Sequence, residues 1–222
     1  MSRNIIFSFG EFYHCYNRGV EKRNIFLNRN DYQRFIYLLF VCNTNSVIHL
    51  SDHQDKSFSE IFEIKRGDTL VEIGAYCLMT NHFHFLLKEK KDGNISIFMH
   101  KVLTAYTMYF NKKYNRTGSL FESTFKAKHA NEDEYLKYLF SYIHLNPLKI
   151  IYPKWNEEGI KNIPEAKKFL LEYEYSSYID YLSKERVQRV ILNPSAFPDY
   201  FPGKKDTEEE ISEWMTYSQC QG

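Results

Sequence analysis

Apolar positions along the 222-residue chain recur with two different periods, and the switches between them divide it into elements. Phe9 to Asn17 alternates loosely and is rich in aromatics, which predicts a first strand. A basic turn through Arg18, Gly19, Lys22 and Arg23 follows. Phe35, Leu38, Leu39 and Cys42 then recur at three- and four-residue steps, predicting a helix from about Tyr32 to Cys42 capped by Asn30 or Asp31. Val71 to Met79 reads as a second strand. The apolar run from Ala75 to Leu87, "AYCLMTNHFHFLL", carries it through a tight turn at Thr80-Asn81 into a third, and the two pair as a hairpin. Asn94 opens a helix whose inner face is Ile95, Phe98, Met99, Val102, Leu103, Tyr106, Tyr109 and Phe110. Leu120 to Ala130 alternates again, with Glu122, Thr124, Lys126 and Lys128 on one face and Phe121, Phe125 and Ala127 on the other. A further helix starts at Glu132, buries Leu136, Leu139, Phe140 and Ile143, and is ended by Pro147.

The order β-α-β-β-α-β followed by a helix predicts the α+β class. The expected architecture is a ferredoxin-like, split βαβ antiparallel sheet with two helices on one face and an extra helix after it. Two stretches interrupt this plan. Residues 43–68 turn polar and form an insertion, with a short helix near Phe58–Ile64. Beyond Ile150 come Pro153, Pro164, Pro194, Pro198 and Pro202, one helical patch near Glu165–Leu182, and the acidic residues Asp206, Glu208, Glu209, Glu210 and Glu213. The expected organisation is a main domain over 1–150 and a C-terminal helical appendage with an acidic tail over 151–222.

Composition narrows the function classes. A chain of this length with 18 Tyr and 18 Phe buries a substantial core and is not disordered. Its apolar stretches are too short or too interrupted by charge to span a membrane, and its first residues lack an export signal. Cys15, Cys42, Cys77 and Cys220 form no CxxC pair, as expected for reduced thiols in a cytoplasmic protein without a zinc ribbon. The net charge of +1 conceals an asymmetry: residues 1–150 carry 20 Lys and Arg against 15 Asp and Glu, while the remainder carries 9 against 13. The mildly basic first part is compatible with a nucleic-acid partner.

The chemistry concentrates at Asn81-His82-Phe83-His84. In a strand His82 and His84 project from one face while Phe83 and Phe85 project from the other, and two imidazoles so placed can form half of a metal site. On the pair alone the ordinary reading is a strand whose polar face carries two histidines. A metal site needs partners from elsewhere. On the helix "DEYLKYLFSYIHLNP", Tyr135, Tyr142 and Asn146 lie together at the edge of the aliphatic stripe, with Tyr142 and Asn146 one turn apart. Asn146 at that position also reads as a C-terminal cap, and Tyr142 as a half-buried tyrosine.

"YHCYNRG", "YCLMTNHFHFLL", "NRTGSLFESTFKAKHA" and "YIHLNP", in this order, resemble the single-tyrosine HUH transposases, and among them the REP-associated tyrosine transposases. The resemblance covers roughly residues 9–182, including "EYSSYIDYL". It implies that 1–150 is an HUH catalytic domain, that His82 and His84 are metal ligands with Asn146 as a third, and that Tyr142 is the nucleophile. The implied metal is Mg²⁺ or Mn²⁺, which nitrogen and amide-oxygen ligands with open water positions suit, while the absence of a thiolate argues against a structural zinc site. The implied reaction is cleavage and strand transfer of single-stranded DNA through a 5′-phosphotyrosine, on a substrate that often folds into a hairpin. Arg18, Lys22, Arg23, Lys112, Lys113, Arg116, Lys126 and Lys128, interleaved with aromatics, would contact that DNA. The family's relatives include monomers and homodimers. Two departures, the polar insertion and Ser123-Thr124 where the family often has a basic residue, bear on DNA affinity and sequence preference more than on chemistry. The alternative reading is a domesticated, non-catalytic DNA- or RNA-binding protein on the same scaffold. A binding module needs none of His82, His84, Tyr142 and Asn146, and the chain has all four.

Overall fold

The structure is a computed structural model that describes residues 5–46, 55–182 and 185–220. Four strands form one sheet: β1 (Phe12–Arg18), β2 (Val71–Leu78), β3 (His82–Glu89) and β4 (Lys126–His129). Their spatial order is β2-β3-β1-β4 and each neighbouring pair is antiparallel, which is the split βαβ arrangement expected from the element order. Helices α1 (Arg29–Val41) and α3 (Asn94–Lys113) pack together over one face, with the one-turn helix α2 (Phe58–Ile61) beside α1. Helix α4 (Asp133–Leu145) lies against β2 and β3 on the other face.

Alternation along β3 decides which side is core. Phe83, Phe85 and Leu87 are 0% exposed among Phe35, Leu38, Phe98, Val102 and Tyr106 of the two-helix layer. Full burial of each such side chain is worth roughly 1.5–3 kcal/mol. The opposite face holds a smaller cluster, where Ala75, Cys77 and Leu86 of the sheet meet Leu136, Leu139, Phe140 and Ile143 of α4. Cys15, Cys42 and Cys77 are buried and form no disulfide. Among the described residues no helix is long and apolar enough to cross a membrane.

Several boundaries differ from the periodicity. α1 begins a turn earlier than Tyr32, with Asn28 as its cap. Asp31 occupies the third helical position and its carboxylate reaches back to the Asn28 N–H, a capping box that the local sequence conceals. The fourth strand shrinks from Leu120–Ala130 to four residues. Phe121 makes only an isolated bridge to Gly19, and the Asn17 side-chain amide, not a strand backbone, bonds the Ser123 carbonyl. Pro147 ends α4 but does not turn the chain away. It sits in the first turn of a 3-10 segment, Asn146–Ile150, where a missing N–H costs nothing. The stretch 47–54 of the polar insertion lies outside the described residues, as does the side chain of Cys220.

The C-terminal segment forms helices α5 (Trp155–Glu158), α6 (Ile163–Glu172), α7 (Tyr178–Tyr181) and α8 (Lys204–Cys220), which carries the acidic residues. It also closes the open edge of β2. Leu78 N–H donates to the Tyr175 carbonyl, Ser177 N–H to the Tyr76 carbonyl and Asn193 N–H to the Ile73 carbonyl, each at 2.9–3.0 Å. An uncovered edge strand would invite pairing with another chain. At the bulge between Ile73 and Ala75, the Phe197 ring rests on Gly74, where a Cβ would lie 2.8 Å from the ring.

Two buried groups give stability predictions. Asp31 is 0% exposed. Burial alone would raise its pKa, but hydrogen bonds from Lys113, Tyr114, Leu27 N–H and Tyr109 outweigh this and hold it below the usual carboxylate range. Lys113→Met should therefore cost about 1–3 kcal/mol in urea unfolding. An unchanged midpoint would remove Lys113 from this network. His144 of α4 is 2% exposed, with Nε2 2.9 Å from Ser177 Oγ, and burial pushes its pKa from 6.5 down to about 3. Between those values the unfolded chain binds a proton that the folded one does not, so stability falls as pH drops through that window. His144→Gln should flatten the fall by on the order of 1 kcal/mol per pH unit. Identical slopes in both proteins would contradict a neutral buried His144.

Candidate active site

The register of the sheet builds one row of side chains on the α4 face. Cys77 of β2 lies opposite His84 of β3, His84 opposite Tyr16 of β1, and Tyr16 opposite Lys126 of β4. Two residues along, His82 lies opposite Arg18. Helix α4 crosses above this row and brings Tyr142 over it. The Tyr142 ring stands edge-on to that of His84, with centroids 5.5 Å apart, and His82 and His84 are themselves 5.1 Å apart and perpendicular. A cleft of about 380 Å³ opens here, lined by His82, His84, Tyr142, Tyr16, Asn17, Asn81, Glu122 and the cations Arg18, Lys22, Lys126 and Lys149.

A hydrogen bond to an obligate acceptor sets the tautomer of His82. Asn81 Nδ2 donates to the Lys22 carbonyl at 3.1 Å, so the Asn81 oxygen faces His82 Nδ1 at 2.6 Å. An amide oxygen only accepts, so His82 carries its proton on Nδ1 and keeps the Nε2 lone pair. His84 Nδ1 pairs with Nε2 of His14 at 2.9 Å. Burial, with a smaller contribution from Lys149 and Arg18, lowers the His82 pKa to about 4. Burial, then the neighbouring His14 and His82, holds His84 well below 6.5, and burial and Lys128 bring His14 to about 4. All three are therefore neutral imidazoles at neutral pH, the form that binds a cation.

Asn146 is 1% exposed and lies behind the cleft wall, not on it. Its Nδ2 donates to the Tyr142 carbonyl at 2.8 Å, capping the end of α4 as its position in the sequence suggested. Its Oδ1 accepts from Lys149 Nζ at 3.1 Å. Lys149 also stands 5.2 Å from the centre of the Tyr142 ring, and burial lowers its pKa. Burial raises the Tyr142 phenol above 10, and the neighbouring Asn146 amide works against that rise. Among the described residues no group of three or more His, Cys, Asp or Glu could hold a metal, so a third protein ligand beside His82 and His84 would come from another kind of donor, of which an amide oxygen is one. The Asn146 oxygen has a second lone pair beyond the one facing Lys149, so the donor set fits a hard divalent ion with water in its remaining positions.

The eight basic residues separate. Arg18, Lys22 and Lys126 line the cleft, though Arg18 is held bidentate by Glu122 at 2.6 and 2.8 Å. Lys128 extends the row from β4 and lies 4.0 Å from the Tyr135 ring centre. Arg23 turns back onto the Val20 carbonyl and Glu21. Lys112, Lys113 and Arg116 are at the far end of α3, which covers the sheet face opposite the histidines. There Lys113 bonds Asp31, and Arg116 bonds Asn111. His14 lies in the first of the four motifs but the pattern gives it no task, and Lys149 carries no sequence signal of its own. His14 is one of eight histidines and Lys149 follows the proline, and only the strand register and the 3-10 turn bring them to the site. A larger cavity of about 520 Å³ between α3 and the chain before β4 is lined by Ser96, His100, Thr104, Thr107, Ser123 and Thr124 among others, and contains none of these groups.

The chain resembles known proteins at two levels. No curated protein matches it in sequence. Among solved structures, one described as "Structure of the REP associates tyrosine transposase bound to a REP hairpin" superposes with a TM-score of 0.51 over 85% of this chain and 90% of that one. At 12% identity that likeness is one of fold. Residues 32–146 match the family described as "Transposase IS200 like", a span that includes the histidine strand, α4 and Asn146. Since the match takes in more than half of its length, the chain belongs to the IS200-like transposase family.

Proposed function

We propose that the chain cleaves and rejoins single-stranded DNA through a covalent 5′-phosphotyrosine on Tyr142. The observation that carries this reading is the meeting of Tyr142 with the His82–His84 pair in one cation-lined cleft, from elements some 60 residues apart. The phenol oxygen attacks phosphorus, the bond to the 3′ oxygen breaks, and that oxygen leaves as a free 3′-hydroxyl after gaining a proton. The phosphodiester's energy is retained in the tyrosine ester, so a second 3′-hydroxyl can reverse the step elsewhere. His82 and His84, with the Asn146 oxygen, would hold a Mg²⁺ or Mn²⁺ ion. When bound, that ion would polarise the phosphate and offset charge on the leaving oxygen.

The chain's own groups do the rest. A phenol raised above its ordinary pKa by burial is a weak nucleophile, so the charge it develops needs a partner. In this reading that part falls to Lys149, whose Nζ lies 5.2 Å from the centre of the Tyr142 ring and is oriented by Asn146. Lys22, Lys126 and, through exchange of Glu122 for phosphate, Arg18 would follow the DNA backbone, while Tyr16 offers a ring on which a base can stack. The solved relative's bound hairpin is consistent with a substrate of folded single-stranded DNA. In this reading residues 1–150 form the catalytic unit, and 151–222 seal its open edge.

Two measurements test the proposal. Labelled single-stranded oligonucleotides from the DNA flanking the gene, incubated with Mg²⁺ or Mn²⁺, should yield a covalent adduct on a denaturing gel. The adduct should vanish with EDTA, with His84→Ala and with Tyr142→Phe, while Tyr142→Phe keeps its DNA affinity. Tight binding without any adduct would favour the non-catalytic DNA-binding reading. Lys149→Met should slow adduct formation by on the order of 100-fold with little change in DNA binding. A rate equal to wild type would remove Lys149 from the chemistry.

A further inference from the structure

His14 stands in the first motif of the sequence, yet the chemistry above leaves it without a task. It is 7% exposed on β1, opposite Leu86 and one diagonal step from His84. Its Nε2 is 2.9 Å from His84 Nδ1, the two rings are 5.1 Å apart and inclined by 24°, and its ring also meets that of Tyr142 in a T-shaped contact at 5.7 Å. A hydrogen bond between two neutral imidazoles has one donor, so the pair has two arrangements. If His84 donates from Nδ1, its Nε2 keeps a lone pair. If His14 donates, His84 carries its proton on Nε2 and cannot bind a cation through that nitrogen.

We propose that His14 is the positioning residue of the site: its Nε2 accepts the His84 Nδ1 proton and thereby holds His84 as the tautomer that presents Nε2 to a divalent cation. The other histidine supports this assignment. His82 Nδ1 is fixed as a donor by the Asn81 oxygen, an obligate acceptor, so on this reading the two ligands are prepared in the same way by different neighbours. The geometry adds that the His14, His84 and Tyr142 rings touch one another in a triangle, with centroids 5.1, 5.5 and 5.7 Å apart, so His14 bears on the ring plane of the ligand and on the nucleophile together. The inference rests on the reading of His84 as a metal ligand.

Mn²⁺ binding to the full chain without DNA, followed by the EPR signal of free ion, tests both levels separately. His84→Ala should abolish tight binding; retained affinity there would overturn the ligand reading itself. With that loss established, His14→Phe, which keeps an aromatic ring but no acceptor, should weaken Mn²⁺ binding about 10- to 100-fold, and His14→Gln, whose oxygen can accept the same proton, should stay within about threefold of wild type. Wild-type affinity in His14→Phe, or a Gln variant as weak as the Phe variant, would overturn the role of His14. Imidazole ¹⁵N shifts of the wild-type protein in Mg²⁺ give a readout independent of variant folding. His84 protonated on Nδ1 is the expected result, and His84 protonated on Nε2 would overturn the proposal.

Discussion

The constraint on which the structure depends is the period of two along β3. Phe83, Phe85 and Leu87 go into the two-helix core, so His82 and His84 must stand on the opposite face. A one-residue slip would bury two imidazoles among phenylalanines and expose three large apolar side chains. Pairing on both edges, with β2 on one side and β1 on the other, removes that freedom. The histidine half of the site is thus held by a layer of fully buried side chains, as a rigid constellation requires.

The second face is built differently. Only the β2–β3 end is covered by aliphatic residues of α4, while the β1–β4 end is left to Tyr16, Arg18, Lys126 and Lys128. Tyr142 stands where α4 passes from one region to the other. Its burial, and that of His82, His84 and Lys149, pushes each group toward its neutral form. Partly desolvated groups of this kind interact more strongly with a phosphate or a cation than they would in water.

The C-terminal segment ties these parts together. It adds backbone bonds along the free edge of β2, places Ser177 against His144, and sets Phe197 into the notch at Gly74. Since β2 packs against α4 and Ser177 bonds its His144, the angle at which Tyr142 meets the histidines depends on residues far from the cleft. The Asp31 network does the same for the other layer, joining the start of α1 to the end of α3 through Lys113, Tyr109 and Tyr114.

The element order, the two-face character of the histidine strand and the stripe of α4 were legible in the sequence, because alternation and helical periodicity are local properties of the chain. The four-motif resemblance likewise pointed to Tyr142, His82, His84 and Asn146. Their convergence was not legible from local pattern, nor was the sorting of the basic residues. Lys126 and Lys113 look alike in sequence, yet one lines the cleft and the other bonds a buried carboxylate. The parts of His14 and Lys149 in the cleft were not legible for the same reason, since register across β1 and β3 and the 3-10 turn after Asn146 are decided by long-range packing. The shortening of β4 also came from contacts distant in the chain, whereas the Asn28–Asp31 capping box is local and is hidden only because an aspartate stands where glutamate or glutamine is usual. The sequence by itself determined which residues share a strand or helix face. Only the tertiary structure decided which faces meet, because that depends on the pairing of strands and the closure of layers that no local window contains.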